Sequence, residues 1–407
     1  MMREPRILAI ILAGGRGRRL SPLTEERSKP AVPFGGRYRI VDFVLSNFIN
    51  SKIYSIYVLV QYKSQSLIGH LTAAWRFGGL LRHQFITVVP PQMRGGEVWY
   101  LGTADAVYQN LNLIEDFAPD LIAVFGADHI YRMDINQMID FHLVKGADVT
   151  VAALPVPIES AHGFGIIEVD ADEHIIGFQE KPSHPKPMPS DPSRAYSSMG
   201  NYIFNAHTLV EMVTADARRN SEHDFGRSVI GQALERYKVF AYNFLNNEVP
   251  GVKPYEERGY WRDVGNLSSY WLAHMDLLGA APAFDLNNWR WPILGEGFDG
   301  LPAKVVAGRV DDSLIGVGSV INNATVQRSI LGHSVCIYEG ADIQECIIMD
   351  HTTVGKGARL RRAIVDRFNS IEPGATAGYD RAEDERHRYH IDASGLVVRA
   401  RGITQRV

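Results

Sequence analysis

The stretch from Leu12 to Lys29, LAGGRGRRLSPLTEERSK, combines glycines and cations in a pattern that suits a polyanion. A short apolar run ends at Gly14 and Gly15, and Gly17 follows after one residue. A buried strand that runs into a glycine-rich turn points several backbone N–H groups at one place, which is the geometry of phosphate sites. Cations also outnumber acids in this stretch; they are Arg16, Arg18, Arg19, Arg27 and Lys29.

The spacing excludes two widespread phosphate motifs. The chain reads G-G-x-G-x-R here, which is neither the P-loop G-x-x-x-x-G-K-[ST] nor the dinucleotide fingerprint G-x-G-x-x-G. Lys29 lies ten residues beyond Arg19, just before Pro30, so a second cation can reach the same ligand. A nucleoside triphosphate would use both cations. An ordinary solvated strand-to-helix turn is the alternative.

Two acids that are far apart in the chain are candidates for a metal site. Asp128 follows the buried run Leu121–Phe125, at the carboxyl end of a predicted strand, and Asp263 lies in YWRDVG. Mg²⁺ prefers one or two carboxylates together with phosphate oxygens and water. The alternatives are that Asp128 caps the next helix and that Asp263 pairs with Arg262 on the surface. We interpret His129 as a structural hydrogen-bonding residue.

Two further stretches have the residue types that bind a sugar phosphate. In FQEKP, Lys181 can hold a phosphate as a point charge, and Glu180 can accept hydrogen bonds from sugar hydroxyls. In WYLGTADAVYQ, Trp99 and Tyr100 can flank a ring, and Thr103 is predicted to cap the following helix. A surface ion pair explains the first stretch without a ligand, and core packing explains the second.

Composition limits the class of protein. The chain has 407 residues, 45% of them hydrophobic and 22% charged, and a net charge of -4. These values predict two or three globular domains and give no sign of a nucleic-acid or membrane partner. The first apolar run is short and leads into the glycine turn, so we expect a strand rather than a signal peptide. Two cysteines, Cys336 and Cys346, do not make a disulfide framework, and we expect a cytoplasmic location.

Strand-like and helix-like segments alternate up to about residue 275, which predicts an α/β domain with a mostly parallel sheet. In such sheets, ligands bind beyond the carboxyl ends of the strands. The predicted strands are Ile7–Leu12, Ser55–Val60, Leu121–Phe125, Val149–Ala153 and Tyr202–Phe204. The predicted helices are Asp42–Ser51, Ala104–Glu115 and Asn136–Lys145.

The last third of the chain repeats itself every 17 residues. A period this short, with aliphatic and small residues in fixed places, predicts a β-helix in which each coil stacks on the last. Asn323 takes the place that Gly340, Gly357 and Gly374 hold in later coils, and a weak strand near Leu396–Val398 is expected to cap the stack. The aligned sets include Val320, Ile337, Val354 and Ile371, and also Ala324, Ala341, Ala358 and Ala375.

We predict three parts: a catalytic domain over 1–280, a connector over 281–302 and a β-helix over 303–407. The connector contains Trp289 and Trp291 among prolines and glycines, and we expect it to pack against the first domain. Cys346 shares its place in the repeat with Ser329 and Ala363, so we interpret it as a small buried side chain.

An ordered set of motifs resembles the bacterial ADP-glucose pyrophosphorylases (glucose-1-phosphate adenylyltransferases) over nearly the whole chain. The motifs are GGRGRRL, SKPAVPFGG, QYKSQSL, WYLGTADAVYQN, GADHIYRMD, FGIIEVD, EKP, SMGNYIF, HDFG and YWRDVG. The resemblance implies a Rossmann-like (GT-A-like) nucleotidyltransferase domain followed by a left-handed parallel β-helix. It also implies that ATP and glucose 1-phosphate give ADP-glucose and pyrophosphate, the committed step of bacterial glycogen synthesis.

The resemblance further implies a role for each matching residue. Arg19, Lys29 and Asp128 would be catalytic, and Asp128 and Asp263 would hold Mg²⁺. The ATP contacts would be Gly14, Gly15, Gly17 and, near adenine, Gln92. The glucose 1-phosphate contacts would be Tyr100, Gly165, Glu180, Lys181, Ser198 and Asp224.

Members of this family are typically homotetramers controlled by glycolytic metabolites. An anionic effector is therefore expected where the glycine turn meets the β-helix, with Arg27, Arg381, Arg386 and Arg388 as candidates, although a solvated charged tail explains the last three equally well. Arg18 replaces the threonine that is common in the glycine turn. Glu26 occupies a place where enterobacterial relatives have a lysine associated with activator binding.

Three alternatives stay open at this point. One is a sister enzyme for another nucleotide or sugar, such as a thymidylyl- or guanylyltransferase. Another is a non-catalytic regulatory paralogue, which would lose the phosphate and metal residues that are all present here. The third is an acyltransferase, because short-repeat solenoids often serve that chemistry, but the repeats contain no obvious catalytic histidine.

Overall fold

The computed structural model describes residues 4–76, 83–92, 99–297 and 300–403. In these ranges, no helix combines the length and the apolar character that a membrane crossing requires. The helices are α1 Ile40–Asn50, α2 Gln65–Ala74, α3 Thr103–Tyr108, α4 Leu111–Phe117, α5 Ile135–Lys145, α6 Ala206–Ala217, α7 Gly231–Ala233, α8 Leu267–Met275 and α9 Arg381–Arg386.

An α/β unit forms the first part. Its strands are β1 Ile7–Ala13, β2 Pro33–Phe34, β3 Tyr38–Arg39, β4 Ser55–Val60, β5 Phe85–Val89, β6 Leu121–Gly126, β7 His129–Tyr131, β8 Val149–Pro157, β9 Gly165–Val169, β10 Ile175–Glu180, β11 Arg194–Asn205, β12 Val239–Asn243 and β13 Trp261–Asp263. The main sheet has the order β10-β9-β11-β6-β1-β4-β5, with β8 beside β11 and β12 beside β8. The predicted α/β domain is confirmed; its sheet is mixed, with parallel pairs among β1, β4, β5 and β6 and antiparallel pairs at β9, β10 and β11.

Parallel pairing at the centre of this sheet explains where the ligand residues meet. β1 pairs in parallel with β4 and with β6, and Leu12 lies opposite Gly126. The glycine turn after β1 and Asp128 after β6 therefore leave the same edge of the sheet. Apolar side chains are buried on both faces of the strands, for example Leu8 and Ile10 on one face and Ala9 and Ile11 on the other.

Most predicted elements are observed, with two informative differences. The helix predicted over Ala104–Glu115 is two helices, α3 and α4, separated near Asn110. The Asn110 side chain donates to the Ala106 carbonyl and to the Tyr100 hydroxyl, so it links the break between the two helices to Tyr100. The strand predicted at Tyr202–Phe204 is only the end of the longer β11, which also pairs with β8 and β9.

The second part is a stack of short parallel strands. They are β14 Lys304–Asp311, β15 Leu314–Ile315, β16 Val320–Gln327, β17 Ile330–Leu331, β18 Cys336–Ile337, β19 Asp342–Gln344, β20 Ile347–Ile348, β21 Thr353–Val354, β22 Arg359–Arg361, β23 Ala363–Val365, β24 Ser370–Ile371, β25 Thr376–Ala377, β26 His390–Ile391 and β27 Val397–Arg399. Pairs such as Ile343 with Leu360 confirm the 17-residue period. β27 pairs in parallel with β23, so the tail adds to the stack as expected.

The first coil departs from the period. Ile337 pairs with Ile321, 16 residues earlier, and not with Val320, so our alignment of Val320 was wrong. The interval returns to 17 at Val326 and Ile343, which means that the corner between these strands is one residue shorter in the first coil. Asn323 has a φ of 47° at this corner, in the left-handed region that glycine adopts in the later coils, and asparagine tolerates it.

The two parts share a hydrophobic core. Phe34 and Tyr270 of the first part lie in one buried cluster with Ile347 and Ile364 of the second. The connector packs as predicted at Trp291, which is 7% exposed, but Trp289 is 89% exposed, so the expectation is wrong for that residue.

Candidate active site

A cavity of about 1300 Å³ opens at the carboxyl edge of the α/β sheet. Gln92, expected near adenine, does not line it; this exposed side chain donates to the Pro90 carbonyl instead. The predicted residues that line the cavity are Gly14, Gly15, Gly17, Arg19, Lys29, Tyr100, Asp128, Gly165, Glu180, Lys181, Ser198, Asp224 and Asp263.

The glycine turn folds back over Lys29. Gly17 has a φ of 61°, and a Cβ at that position would lie 2.9 Å from the Lys29 Cβ. A side chain there would be strained and would also displace the lysine. Thr24 stabilises the fold-back because its hydroxyl donates to the Gly17 carbonyl at 3.0 Å.

A two-stranded ribbon brings the two acids together. β7 and β13 pair in antiparallel fashion, with Asp263 opposite His129, so Asp263 lies next to Asp128 despite the long chain between them. Lys29 Nζ is 2.9 Å from Asp128 Oδ2 and 2.9 Å from Asp263 Oδ1. Arg19 reaches the same place, since its NH2 is 3.0 Å from where a Cβ on Gly265 would lie.

Neither alternative for these acids holds. Asp128 precedes a strand rather than a helix, and Asp134 caps α5 by accepting from the Asn136 amide. Arg262, the expected partner of Asp263, makes its ion pairs with Glu257 and Asp276. The Asp263 carboxylate is therefore directed to Lys29.

The charges in this cluster stabilise one another. Burial acts to lower the pKa of the Lys29 ammonium, but the carboxylates of Asp128 and Asp263 outweigh it, and the pKa is raised above its ordinary value. Burial acts to raise the pKa of Asp128, but the charge of Lys29 outweighs it and holds the pKa well below the ordinary value. Each charge of the Lys29–Asp128 pair therefore favours the ionised form of the other.

The donors suit a divalent cation. One ligand atom each from Asp128, His129 and Asp263 lies within 4.8 Å of the others. His129 Nδ1 is buried and has no hydrogen-bond partner among the described atoms, while Nε2 is 3.4 Å from Asp128 Oδ1. Two carboxylates and open space for phosphate oxygens match the preference of hard cations such as Mg²⁺.

At the other end of the cavity, the Asp224 carboxylate is engaged by hydrogen bonds from the protein itself, mostly from backbone amides. Its Oδ1 accepts from the amides of Gly226 and Arg227, in the first turn of the π-helical segment Phe225–Ile230. Its Oδ2 accepts from the Thr103 hydroxyl at 2.9 Å. Our prediction of Thr103 as a helix cap was wrong, because α3 begins at Thr103 itself and the hydroxyl bridges to Asp224 and the Phe225 amide.

Tyr100 is held by two residues that the sequence reasoning did not assign. The Gln61 side chain accepts from the Tyr100 amide at 2.7 Å and donates to its carbonyl. Asn110 donates to the Tyr100 hydroxyl at 3.0 Å. A glutamine that pairs with the backbone of one distant residue leaves no local sequence signal.

The predicted sugar-phosphate charges lie close together. Lys181 Nζ is 3.7 Å from Glu180 Oε1, and Arg227 NH2 is 3.5 Å from the same oxygen. Arg227 lines the cavity and is a further cation that we did not predict. Ser198 Oγ accepts from the Gly200 amide, so this hydroxyl is fixed at the cavity wall.

The candidate effector residues are dispersed. Arg27 is 2% exposed and forms a buried ion pair with Asp366 across the two parts of the molecule, so it ties them together. In α9, exposed Arg381 pairs with Glu385, and exposed Arg386 pairs with Glu383. Arg388 is also exposed.

Other cations gather at the junction of the two parts. Burial and the charges of Arg367 and Arg27 lower the pKa of Arg39 to about 10. Arg39 NH1 donates to the Ser66 hydroxyl at 2.9 Å. Burial makes the largest contribution to this lowering, whereas the charges of Asp42 and Glu296 act to raise the pKa.

Comparisons with known proteins cover nearly the whole chain. The model of the Nucleotidyl transferase family matches residues 8–279, and that of the GlmU-like C-terminal hexapeptide family matches residues 301–399. Glucose-1-phosphate adenylyltransferase of Thermodesulfovibrio yellowstonii is 51% identical over 97% of this chain and 96% of its own length. A protein of the same name from an Anaeromyxobacter species is 50% identical over 97% of this chain and 97% of its own length. Another, from Corynebacterium jeikeium, is 46% identical over 98% of this chain and 98% of its own length.

The glycine turn, the two acids on one ribbon and the short-repeat β-helix thus occur in a chain that matches these relatives almost from end to end. The protein belongs to the glucose-1-phosphate adenylyltransferase family of nucleotidyltransferases.

Proposed function

We propose that the chain transfers the adenylyl group of ATP to glucose 1-phosphate, forming ADP-glucose and pyrophosphate for glycogen synthesis. The observation that carries this proposal is that one cavity has a glycine turn and paired acids at one end and Lys181 at the other. Two polyanions must meet for the reaction, and the cavity provides cations at both ends. The family relationship supports the choice of nucleotide and sugar.

The chemistry needs no protein nucleophile. A phosphate oxygen of glucose 1-phosphate attacks the α-phosphorus of ATP in line, the bond to the bridging oxygen of the β-phosphate breaks, and pyrophosphate leaves with that oxygen. The attacking oxygen is already an anion at pH 7, so no general base is required. The role of Arg19, Lys29 and Lys181 is to position the phosphates and offset their charge.

Mg²⁺ fits the paired acids, because it prefers one or two carboxylates together with phosphate oxygens and water. Asp128 and Asp263 would hold it, and His129 lies within reach. When bound, the ion neutralises phosphate charge and withdraws electrons from phosphorus. The remaining contacts are proposed from the cavity walls: the glycines of the turn would face the triphosphate, and Tyr100, Glu180 and Ser198, which also line the cavity, would face the sugar phosphate.

A pyrophosphate-release assay tests the proposal. Purified protein is given glucose 1-phosphate and Mg²⁺ with ATP, dTTP or GTP in turn. We expect turnover with ATP well above the other two. Higher turnover with dTTP or GTP would establish a sister enzyme, and no turnover with any of them would favour a non-catalytic regulatory paralogue.

Regulation is the second part of the proposal. We propose an anionic metabolite effector bound at the junction of the two parts, supported by the partly exposed cations of Arg39 and Arg367 there. A homotetramer in the cytoplasm and the division at residues 280 and 302 are proposed from the family pattern. Repeating the assay against a panel of phosphorylated metabolites, with sedimentation of the active protein, tests the effector and the assembly.

A further inference from the structure

Lys29 occupies the position from which a cation would bind both acids. Its Nζ is 2.9 Å from one oxygen of Asp128 and 2.9 Å from one oxygen of Asp263, and its side chain is 8% exposed. The two carboxylates are more open, at 40% and 32% exposed. A metal ion from solvent can therefore reach the acids, but it meets carboxylate oxygens that an ammonium already engages.

We propose that Lys29 is an internal placeholder for the divalent cation, and that metal and nucleotide bind together because the ammonium moves from the carboxylates to the triphosphate. The nucleotide part of this inference rests on the proposed function; the placeholder part does not. Two cations that share the same pair of carboxylates repel each other, so the ion must displace the ammonium or bind weakly.

The backbone and Cβ of Lys29 are fixed by packing, whereas its ammonium group can move. The Lys29 backbone lies in a short 3₁₀ segment, Lys29–Ala31, and its Cβ packs under the glycine turn at Gly17. The ammonium beyond it is a compact charge on a flexible chain with three rotatable donors. Displacement thus requires a change of side-chain rotamer and no movement of the turn.

The direction of displacement follows from the surroundings. Gly14, Gly15 and Gly17 line the same cavity beside Lys29, and they are the predicted triphosphate cradle. A triphosphate in that cradle gives the ammonium a new anionic partner when the metal takes the carboxylates. Without a triphosphate, the ammonium has to leave two charged partners with no equivalent replacement, so the metal alone binds weakly.

The test measures metal binding without turnover. Mn²⁺ serves as the probe, and free Mn²⁺ is followed by electron paramagnetic resonance as the full chain is titrated in the absence of nucleotide. We expect Lys29→Met to bind Mn²⁺ at least about tenfold more tightly than the unaltered protein, because the competing charge is gone. Lys29→Arg keeps the charge and should remain a weak binder.

Arg19→Gln is the matched control. It removes a neighbouring cavity cation that forms no bridge between the two acids, and its effect on Mn²⁺ affinity should stay below about threefold. If Lys29→Met binds no more tightly than the unaltered protein, or gains no more than Arg19→Gln, the placeholder role is excluded. Circular dichroism verifies folding, and Lys29→Gln replaces the methionine variant if that variant is unfolded.

A second titration contains α,β-methylene-ATP, which cannot be cleaved at the relevant bond. In the unaltered protein the analogue should tighten Mn²⁺ binding, and in Lys29→Met the gain should be smaller because the lysine no longer joins the triphosphate. An equal gain in both proteins would contradict the transfer of the ammonium. If the analogue has no effect while Lys29→Met still gains affinity, the placeholder stands and the proposed nucleotide is wrong.

Discussion

Asp128 and Asp263 at one end of the cavity use their charge differently from Asp224 at the other. At the glycine-turn end, the ion pairs join side chain to side chain, and Lys29 bridges Asp128 and Asp263. At the sugar end, Asp224 accepts hydrogen bonds from two backbone amides and from the Thr103 hydroxyl, and these bonds hold its loop against α3. A side-chain ion pair can exchange its partner for a ligand, whereas a carboxylate that binds backbone amides is part of the scaffold.

This difference predicts that the two kinds of acid fail in different ways when they are altered. Loss of an exchangeable charge should lower activity and leave the fold intact. Loss of a scaffolding charge should lower the free energy of unfolding, with activity falling because the loop moves.

The largest expected effect is at Asp128. Asp128→Asn keeps the size of the side chain but weakens the proposed metal site, and we expect pyrophosphate release to fall about a thousandfold. The thermal unfolding midpoint should change little, because the side chain is 40% exposed. Near-normal turnover in this variant would remove Asp128 from the metal site.

Lys181 tests an exchangeable charge at the sugar end. Its nearest acid, Glu180, is 3.7 Å away, and the lysine is 49% exposed, so the pair is loose. Lys181→Gln should raise the KM for glucose 1-phosphate about 10- to 100-fold, the value of a lost charged contact, with a smaller change in kcat. A KM for ATP that rises equally would show that the lysine does not distinguish the two substrates.

Asp224 tests the scaffold. Asp224→Ala removes the cap of the π-helical turn and the partner of Thr103, and should lower the free energy of unfolding by about 1–2 kcal/mol. Chemical denaturation measures this loss. Asp224→Asn, which keeps an acceptor for the two amides, is the control and should lose less. Unchanged stability in Asp224→Ala, together with lost activity, would move Asp224 to the exchangeable class.

Arg18 gives the smallest expected effect. It is exposed and lines the cavity on the glycine turn. Arg18→Thr should raise the KM for ATP about two- to fivefold, which is the range for one exposed charge, and leave the KM for glucose 1-phosphate unchanged. A change in the KM for glucose 1-phosphate alone would place Arg18 outside the triphosphate region.

Local patterns predicted the parts of the fold that depend on local sequence. The strand Ser55–Val60 was predicted with the observed bounds, because apolar β-formers are bounded there by turn residues. The helix α5 begins one residue before its prediction, at Ile135. The repeat was recognisable because stacked coils require the same residue type at each corner.

The features that the sequence did not predict depend on pairing between segments that are distant in the chain. The shortened corner of the first coil moved the partner of Ile337 from Val320 to Ile321, and no local feature of the sequence marks that deletion. Arg27 looked available to an effector from its position in a charged stretch, but Asp366 of the β-helix buries it. In both cases the outcome depends on which distant segment lies alongside.

The sequence by itself determined the glycine turn, the alternation of strands and helices, the 17-residue repeat and the family. These depend on backbone conformation and on the order of residue types, which neighbouring residues control. Only the tertiary structure decided that Asp263 faces Lys29 rather than Arg262, and that Asp224 supports Thr103. The energy of a charge depends on its partner and its burial, and for residues so far apart in the chain the folded backbone sets both.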